Sequence, residues 1–367
     1  MAKKWLYHPF EIALCGFSGA GKTTLIEKLI KELSVHRDVG YVKHDAHRFQ
    51  MDREGKDTWR ASQAGASSIF ISNQEHFAHL GAVPPVQAKT LHLDRDMVLI
   101  EGHKKSPVPK IWVGPATDLD QVRELEEVRA WVAPAEDVST LKSSFEGPVF
   151  SRDDIEAIVK TIQNHFDKQL ARPLKGLVLT GGQSRRMGRD KGALKYGKVS
   201  QTRRAYDLLS AFCSEVYVSC RQEQQEEEHL RSLPQVWDRH LGMGPAGGIL
   251  SAMATDREAA WLVLACDLPF LQEDTLERLT QHRDPYKMAT CFLNPEKRWP
   301  EPLCTIWEPK AYTRLFEYIG LEKTCPRKVL FNSAINALEL ENSKALANVN
   351  TPEEFESSYR ELRGETK

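Results

Sequence analysis

The chain of 367 residues is longer than a single hydrophobic core usually allows, which predicts two domains. Its composition (41% hydrophobic, 28% charged, formal net charge −1) is that of a globular protein, with no overall charge to attract nucleic acid or a membrane surface. The seven cysteines are odd in number and never spaced as CxxC, which argues against a disulfide framework or zinc ribbon and predicts a reducing, cytoplasmic location.

The first half alternates short apolar runs with amphipathic segments. The runs are flanked by turn residues, as is typical of buried strands, and they are Ile12–Cys15, Val39–Val42, Ile69–Ser72, Met97–Ile100, Ile111–Val113 and Trp131–Ala133. Apolar residues recur at helical spacing at Ile26, Leu29, Ile30 and Leu33, and again at Ile155, Ile158, Val159, Ile162 and Phe166. This alternation predicts an α/β domain with a largely parallel sheet. No apolar run reaches the ~20 residues that cross a bilayer, and none near the N-terminus is typical of a signal peptide.

The polar stretch Asp167–Lys175 interrupts the alternation, which restarts with an apolar strand at Gly176–Leu179. Further strands are predicted at Val216–Ser219, Trp261–Ala265 and Met288–Phe292. We therefore expect an α/β protein of two domains, residues 1–168 and 176–367, joined by a linker at 169–175.

The segment Gly16–Thr23 (GFSGAGKT) matches G-x-x-x-x-G-K-[ST] between a predicted strand and a predicted helix. In such a loop, glycines allow backbone amides to curl round a phosphate at a helix N-terminus, whose dipole favours anions. Lys22 is then placed to reach outer phosphate oxygens, and Thr23 to ligate magnesium. The alternative is a tight glycine turn that only joins strand to helix, but the bare pattern arises by chance in about one chain in a hundred of this length. We therefore predict a nucleotide-phosphate site here.

Polar residues follow two further strands of this half. Glu101 comes directly after Met97–Ile100, and ligands of open α/β sheets gather at the carboxyl ends of strands, so Glu101 is a candidate for holding magnesium or positioning water. His44 and His47 follow another strand and are candidate metal ligands. The alternatives are a surface carboxylate for Glu101 and a helix cap or surface feature for the two histidines.

Four ordered segments, GFSGAGKTTLIEKLI, VGYVKHDAH, KDTWRASQAGA and DMVLIEGHKKSPVPKI, resemble the GTP-binding adapter family of molybdenum cofactor maturation, the MobB type, over roughly residues 10–165. The resemblance implies a P-loop NTPase-like sheet with helices that binds GTP with magnesium and has weak GTPase activity at most. The residues that it implies for the nucleotide are Gly16, Gly19, Gly21, Lys22, Thr23 and Thr24, with Thr23 and Glu101 at the metal. The sequence contains no N-K-x-D element of the kind that small GTPases use to read guanine.

A second glycine-rich loop, LTGGQSRRMGRDK over Leu179–Lys191, follows the strand that restarts the alternation. It lacks G-K-[ST], but the pair Gly181-Gly182 allows close backbone approach, and three arginines and one lysine occur within seven residues. That density of positive charge suits a triphosphate, whose charge has to be neutralised before a nucleophile can attack it. A basic, solvated loop is the alternative.

Two aspartates follow strands of the second half. Asp238 ends the short run Gln235–Trp237, just before the glycine-rich turn Gly242–Gly248, and Asp267 follows Trp261–Cys266. An aspartate at the carboxyl end of a strand that faces a triphosphate loop can hold magnesium, with the phosphates completing its coordination. The alternatives are a turn residue for Asp238 and a helix cap for Asp267.

The motifs L-x-G-G-x-S-x-R-M-G-x-D-K, G-P-x-x-G-I and C-D-x-P, followed by E-P-L and N-V-N-T-P, resemble the molybdenum cofactor guanylyltransferases, the MobA type, over about residues 174–360. The resemblance implies a Rossmann-like nucleotidyltransferase fold that joins GMP from GTP to the terminal phosphate of molybdopterin and releases pyrophosphate. It implies nucleotide contacts from Leu179, Thr180, Gly181, Gly182, Lys191, Ser219, Asp238 and Asp267, with Asp267 also at magnesium. The implied catalytic residues are Arg186, Lys191 and Asp267, with Arg186 stabilising the charge that develops during phosphoryl displacement.

Three places depart from this family's pattern. Ser219 stands at a strand end where the family often has Asn, Ala246 replaces the usual Leu of G-P-L-x-G, and the segment Lys198–Arg204 lacks the usual Pro-Leu. These departures bear on nucleotide affinity rather than on reaction type.

Together, the two resemblances imply a fused enzyme that makes the guanine dinucleotide form of the molybdenum cofactor from GTP, with magnesium, on molybdopterin as acceptor. They also imply molybdenum-cofactor insertion machinery or apo-molybdoenzymes as protein partners. One alternative is a cytidylyltransferase that acts on molybdopterin. The other is that the N-terminal half acts only as a binding and delivery module.

Overall fold

The computed structural model describes residues 5–43, 52–73, 76–81, 90–180 and 190–365, with the backbone alone at 168–169. The chain divides into two compact units, Lys3–Asn164 and His165–Lys367, which we call the N-terminal and the C-terminal unit. Each is described by itself below.

The N-terminal unit is built on a parallel sheet. Its strands are β1 (Glu11–Cys15), β2 (Val39–Lys43), β3 (Ser68–Ser72), β4 (Phe77–Gly81), β5 (Met97–Glu101), β6 (Lys110–Val113), β7 (Val128–Ala133) and β8 (Val149–Ser151). Six of these described strands pair in parallel in the order β2-β5-β1-β6-β7-β8. Every residue of β1 and β5 is buried, as expected for inner strands of a parallel sheet that is covered on both faces.

The helices between these strands are α1 (Lys22–Leu33), α2 (Asp57–Gln63), α3 (Leu119–Arg123) and α4 (Val138–Lys142), with 3-10 turns at Ala116–Asp118 and Ala135–Asp137. A longer helix, α5 (Ile155–Leu170), follows β8 and continues past the end of the N-terminal unit. The predicted helical stripe of α1 is confirmed at Ile26, Leu29 and Leu33, which are buried. Each such side chain contributes about 1.5–3 kcal/mol when it is fully removed from water. Trp112 and Trp131 fill the core beside β6 and β7.

The predicted buried strand at Ile69–Ser72 is corrected in one respect, since it forms but is not buried. It lies in β3, which pairs antiparallel with β4 in a separate two-stranded sheet. Phe70 and Phe77 are 65% and 66% exposed, and their rings stack with centroids 5.8 Å apart. An apolar run predicts extended backbone, but it does not determine which strand will pair with it.

The C-terminal unit contains a mixed sheet. Its strands are β9 (Leu174–Leu179), β10 (Val216–Cys220), β11 (Gln235–Trp237), β12 (Ala260–Ala265), β13 (Ala289–Leu293), β14 (Pro300–Trp307) and β15 (Ile335–Glu339). In the order β11-β10-β9-β12-β14-β13-β15, the first four are parallel, and β14 runs antiparallel to both β12 and β13. The last pair, β13 and β15, is parallel.

Helices complete this unit: α6 (Gln201–Ser210), α7 (Pro245–Thr255), α8 (Glu273–Gln281), α9 (Ala311–Gly320), α10 (Pro326–Phe331) and α11 (Pro352–Leu362), with 3-10 turns at Gln222–Gln224 and Ser343–Leu346. α11 begins with a capping box, in which the Thr351 hydroxyl accepts from the Glu354 amide and the Glu354 carboxylate accepts from the Thr351 amide. The predicted α/β class is therefore confirmed in both units, although the second sheet is mixed rather than wholly parallel.

The predicted linker, residues 169–175, overlaps regular structure at both ends. Helix α5 continues to Leu170 and β9 begins at Leu174. Three residues, 171–173, connect the two elements, and the functional division of the chain into 1–168 and 176–367 stays a prediction. Among the described residues, no helix is both long and apolar enough to cross a membrane.

Candidate functional site

The glycine loop of the N-terminal unit joins β1 to α1 in a conformation that requires its glycines. A Cβ at Gly16 would lie 2.1 Å from the carbonyl oxygen of Val113, and Gly19 and Gly21 have φ values of +79° and +82°. Gly21 is also the N-cap residue of α1, and within the described residues no side chain caps that helix end. The first amides of α1 are therefore open to an anionic ligand, as the sequence predicts.

Lys22 lies folded over this loop. Its ammonium group donates a hydrogen bond of 2.7 Å to the carbonyl oxygen of Phe17. Partial burial lowers the pKa of Lys22, while the nearby Glu101 carboxylate raises it. The charged amine is thus held at the loop by a backbone carbonyl, which a phosphate oxygen could replace as acceptor.

Glu101 is the polar centre of this site. Its carboxylate accepts from the Thr23 hydroxyl at 3.0 Å and from the Tyr41 hydroxyl at 2.7 Å, and it pairs with the Lys43 ammonium at 3.6 Å. Burial, together with the hydrogen bond to Glu101, raises the pKa of Tyr41. The predicted residues Thr23 and Glu101 are therefore adjacent, whereas Thr24 lies exposed in the first turn of α1.

The second candidate site is a cavity at the carboxyl ends of β9, β10 and β12. Because the strands from β11 to β12 are parallel neighbours, the residues that follow them meet at one edge of the sheet. The antiparallel strand β14 contributes from its first half, and α7 contributes its N-terminus. The lining residues are Leu179, Thr180, Lys191, Ser219, Asp238, Gly244, Pro245, Gly248, Ala265, Cys266, Asp267 and Leu303.

Lys191 and Asp267 form an ion pair in this cavity. The Lys191 ammonium lies 2.9 Å from Asp267 Oδ2 and donates to Asn350 Oδ1 at 2.6 Å. Asn348 donates to Asp267 Oδ1 at 3.4 Å, and the Val349 amide donates to the Asp267 backbone oxygen at 3.2 Å. The side chains of Lys191 and Asp267 are 19% and 14% exposed, so both charges are well shielded from solvent yet open to the cavity.

A second carboxylate, Asp238, lines the same cavity. The Ser219 hydroxyl donates to Asp238 Oδ1 at 2.5 Å, and the Thr180 hydroxyl donates to the Ser219 carbonyl oxygen at 2.6 Å. Burial raises the pKa of Asp238, and the hydrogen bond from Ser219 acts in the opposite direction. Gly248 is essential for this packing, because a Cβ there would lie 2.5 Å from Ser219 Oγ.

The structure thus brings together the predicted residues Leu179, Thr180, Lys191, Ser219, Asp238 and Asp267. Gly181, Gly182 and Arg186 lie outside the described residues, as do His44 and His47 of the first half. The roles assigned to all of these residues stay predictions.

Tyr41, Asn348 and Asn350 were missed as site residues. Tyr41 could have been noticed as a polar ring one position before the end of a strand run. The two asparagines belong to the N-V-N-T-P motif, but its position in the sequence gives no sign that it contacts Asp267 and Lys191.

Comparison with known proteins finds a family match in each of the two units. A family described as molybdopterin guanine dinucleotide synthesis protein B matches residues 11–135, and the MobA-like NTP transferase domain matches residues 176–336. A molybdenum cofactor biosynthesis bifunctional protein of Synechocystis sp. is 36% identical over 183 residues, which are 50% of this chain and 53% of that protein. A molybdopterin-guanine dinucleotide biosynthesis adapter protein of Haemophilus influenzae is 46% identical over 107 residues, 27% of this chain and 60% of that protein.

A probable molybdenum cofactor guanylyltransferase of Pelotomaculum thermopropionicum is 30% identical over 188 residues, which are 49% of this chain and 89% of that protein. The chain therefore spans between half and two thirds of the first two relatives and nearly all of the third. Both resemblances expected from the motifs are confirmed. The chain belongs to the molybdenum cofactor guanylyltransferase family through its C-terminal unit, and its N-terminal unit is a MobB domain.

Proposed function

We propose that the C-terminal unit transfers GMP from GTP to the terminal phosphate of molybdopterin, with or without bound molybdenum, to form the guanine dinucleotide cofactor. The observation that carries this proposal is the shielded pair of Lys191 and Asp267, which lies at the strand ends in the same cavity as Asp238. A cation and two carboxylates in one cavity can hold a triphosphate and a divalent ion together.

The donor set fits magnesium. Asp267 would supply a hard oxygen ligand of the kind that this ion prefers, and phosphate oxygens and water would complete its octahedral shell, while Asp238 would contact the nucleotide. Both oxygens of Asp267 already accept one hydrogen bond each, but a carboxylate has about four lone-pair sites, which leaves room for a metal. When bound, the ion would neutralise charge on the phosphates and polarise the α-phosphorus.

The proposed reaction is an in-line displacement. An oxygen of the acceptor phosphate attacks the α-phosphorus of GTP, the bond from that phosphorus to the bridging oxygen breaks, and pyrophosphate leaves with the electron pair. Lys191 has three N–H donors, of which Asp267 and Asn350 take two within the described residues, so the third can bind a phosphate oxygen. Its role is to neutralise and position rather than to take up a proton.

The test uses the purified full chain with GTP and molybdopterin and follows pyrophosphate release. Asp267→Ala and Lys191→Ala are each expected to abolish transfer, which means a loss of at least about 100–1,000-fold, typical for removal of an electrostatic group in a transition state. Asp207→Ala is the matched control, because Asp207 is an exposed carboxylate in a surface pair with Arg203 at 2.8 Å. Near wild-type activity in either cavity variant would refute the assignment, and faster turnover of CTP than of GTP would reassign the base.

We further propose that the N-terminal unit binds GTP with magnesium and acts as an adapter with weak GTPase activity at most. The Thr23 and Glu101 pair beside Lys22 supports this proposal, because a hydroxyl and a carboxylate at a P-loop suit a hydrated magnesium ion. Its protein partners would be the cofactor-insertion machinery or apo-molybdoenzymes. All seven cysteines are free thiols, which supports a reducing, cytoplasmic setting.

A further inference from the structure

Asp190, Glu227 and His229 form a compact cluster in the C-terminal unit that the proposed transfer reaction does not use. The His229 side chain is 8% exposed, and its Nε2 is buried with no hydrogen-bond partner among the described residues. Burying a polar atom without a hydrogen-bond partner is unfavourable, because the atom loses water and gains nothing in return, so native proteins rarely keep one without a reason. The orphaned nitrogen lies on the side of the ring that faces Asp190, which points to a missing ligand between them.

The distances in this cluster suit an ion. His229 Nε2 lies 3.8 Å from Asp190 Oδ2, which is too far for a hydrogen bond. Two ligands at about 2.1 Å from one metal are roughly 3.4 Å apart at a tetrahedral angle and somewhat farther apart at a wider angle. One ligand atom from each of the three residues lies within 4.8 Å of the other two. Glu227 Oε2 lies 3.8 Å from His229 Nδ1, the other ring nitrogen, so the half-exposed Glu227 side chain would have to turn toward Asp190 to share an ion bound at Nε2.

Backbone contacts fix the orientation of the Asp190 carboxylate in this cluster. The Gly192 amide donates to Asp190 Oδ1 at 2.8 Å, which leaves Oδ2 to face His229. Gly192 itself is tightly enclosed, because a Cβ there would lie 2.5 Å from Thr202 Oγ1 and 3.2 Å from His229 Nε2. The glycine therefore keeps the space beside the imidazole clear. Asp190 is 26% exposed, which gives an ion a path from solvent.

We propose that Asp190, Glu227 and His229 bind a divalent transition-metal ion of the zinc class. An imidazole with two carboxylates suits zinc, whereas magnesium and calcium prefer oxygen ligands alone. Asp190 immediately precedes Lys191, so the ion would anchor the backbone next to the catalytic lysine to the segment between β10 and β11. This inference goes beyond the transfer of GMP and does not rest on it, because its readout is metal binding.

The experiment measures zinc affinity of the full chain after chelator treatment, by competition with a chromophoric chelator and by the absorption of bound Co²⁺. All proteins carry Cys325→Ser, which removes an exposed thiol that would compete for the metal. They also carry His44→Gln and His47→Gln, which remove the two histidines predicted as metal ligands in the first half. Excess magnesium is present throughout to occupy the oxygen-ligand sites. The expected result is one equivalent of zinc bound and a Co²⁺ spectrum typical of nitrogen and oxygen ligands.

His229→Gln is expected to weaken zinc binding by about 100-fold or more, since even changes outside the ligand shell commonly cost 10–100-fold. His282→Gln is the matched control, because His282 is exposed and, within the described structure, its side chain hydrogen-bonds only to the Arg278 carbonyl one helical turn earlier. Glu227→Gln is the second variant, at a more exposed position that tolerates substitution, and it is expected to weaken binding by about 10–100-fold. Equal zinc affinity in the His229 and His282 variants, or no zinc binding by the parent chain, would overturn the proposal.

Discussion

Replacing Gly248 with alanine should disrupt the hydrogen bond between Ser219 and Asp238, because the new methyl group would occupy the space of the Ser219 hydroxyl. The new Cβ would lie 2.5 Å from Ser219 Oγ, whereas ordinary contact begins at 3.4 Å, and it would lie 2.9 Å from Leu179 Cδ2. Ser219 is 1% exposed, so its hydroxyl has little room to move without leaving Asp238. The substitution at Gly248 therefore changes the position of Ser219, a predicted nucleotide contact, without replacing that residue.

The expected free-energy change combines three effects. Overpacking in a tight core costs about 1–3 kcal/mol. Loss of a hydrogen bond to a buried carboxylate costs about 1.5–3 kcal/mol, and alanine in a helix interior returns about 0.5–1 kcal/mol relative to glycine. The net loss of unfolding free energy for Gly248→Ala is therefore about 2–5 kcal/mol, and each kcal/mol lowers Tm by about 2–4 °C in a unit of this size.

Differential scanning calorimetry of the full chain measures this shift, with GTP binding by titration calorimetry as the second readout. Gly320→Ala is the matched control, because Gly320 is also helical and a Cβ there meets nothing within 4 Å. The control should keep or slightly raise Tm. The double variant Ser219→Ala/Gly248→Ala should recover part of the lost stability, since the clashing oxygen is gone, but not the GTP affinity. An unchanged Tm and GTP affinity in Gly248→Ala would refute the packing argument.

Three further predictions concern the charged groups of the two sites. Lys22→Ala should weaken GTP binding to the N-terminal unit by about 10–100-fold, because a charged hydrogen bond is lost. The same variant should leave GMP transfer at saturating substrate largely intact. Loss of all transfer would show instead that the two units are obligatorily coupled. Glu101→Gln removes the carboxylate that raises the pKa of Lys22, so Lys22 should lose its positive charge at a lower pH than in the wild type. Binding of a fluorescent GTP analogue to this unit should therefore weaken at a lower alkaline pH in the variant. Superimposable pH profiles of the two proteins would contradict this. Burial raises the pKa of Asp238, so its contribution to stability is present below the unfolded value of about 3.9 and is lost as the pH rises through the folded pKa. Asp238→Asn should therefore gain unfolding free energy relative to the wild type as the pH rises from about 4 to 7, and a pH-independent difference in urea unfolding would count against it.

Local chemistry explains what could be predicted from the sequence. The strand before Gly16 and the helix after it are encoded by neighbouring residues, and Glu101 could be placed at a sheet edge because a strand ends there. Asp267 was found in the same way, after an apolar run that became β12. In each case the side chain and the element that positions it lie within a few residues of each other.

Contacts between distant segments could not be predicted in this way. The Tyr41 hydroxyl reaches Glu101 because β2 and β5 are neighbouring strands. The apolar pattern of a single strand does not predict which strands will lie next to it in the sheet. Similarly, the run at Ile69–Ser72 indicated a strand but not its exposed partner β4. The cluster around His229 was not predicted because Asp190 lies far from it in sequence and forms no recognisable motif with it.

The hydrogen bond from Lys191 to Asn350 has a consequence for how the site comes into being during synthesis. The two residues are 159 positions apart, and a ribosome adds about 5–20 residues per second, so Asn350 is made roughly 8–30 s after Lys191. Late in that interval, β9, β10 and β12 have been made, but Lys191 and Asp267 still lack the asparagines that contact them. The cavity of a nascent chain would therefore be complete only after the segment around Asn350 had folded against it, and the proposed GTP site would form last.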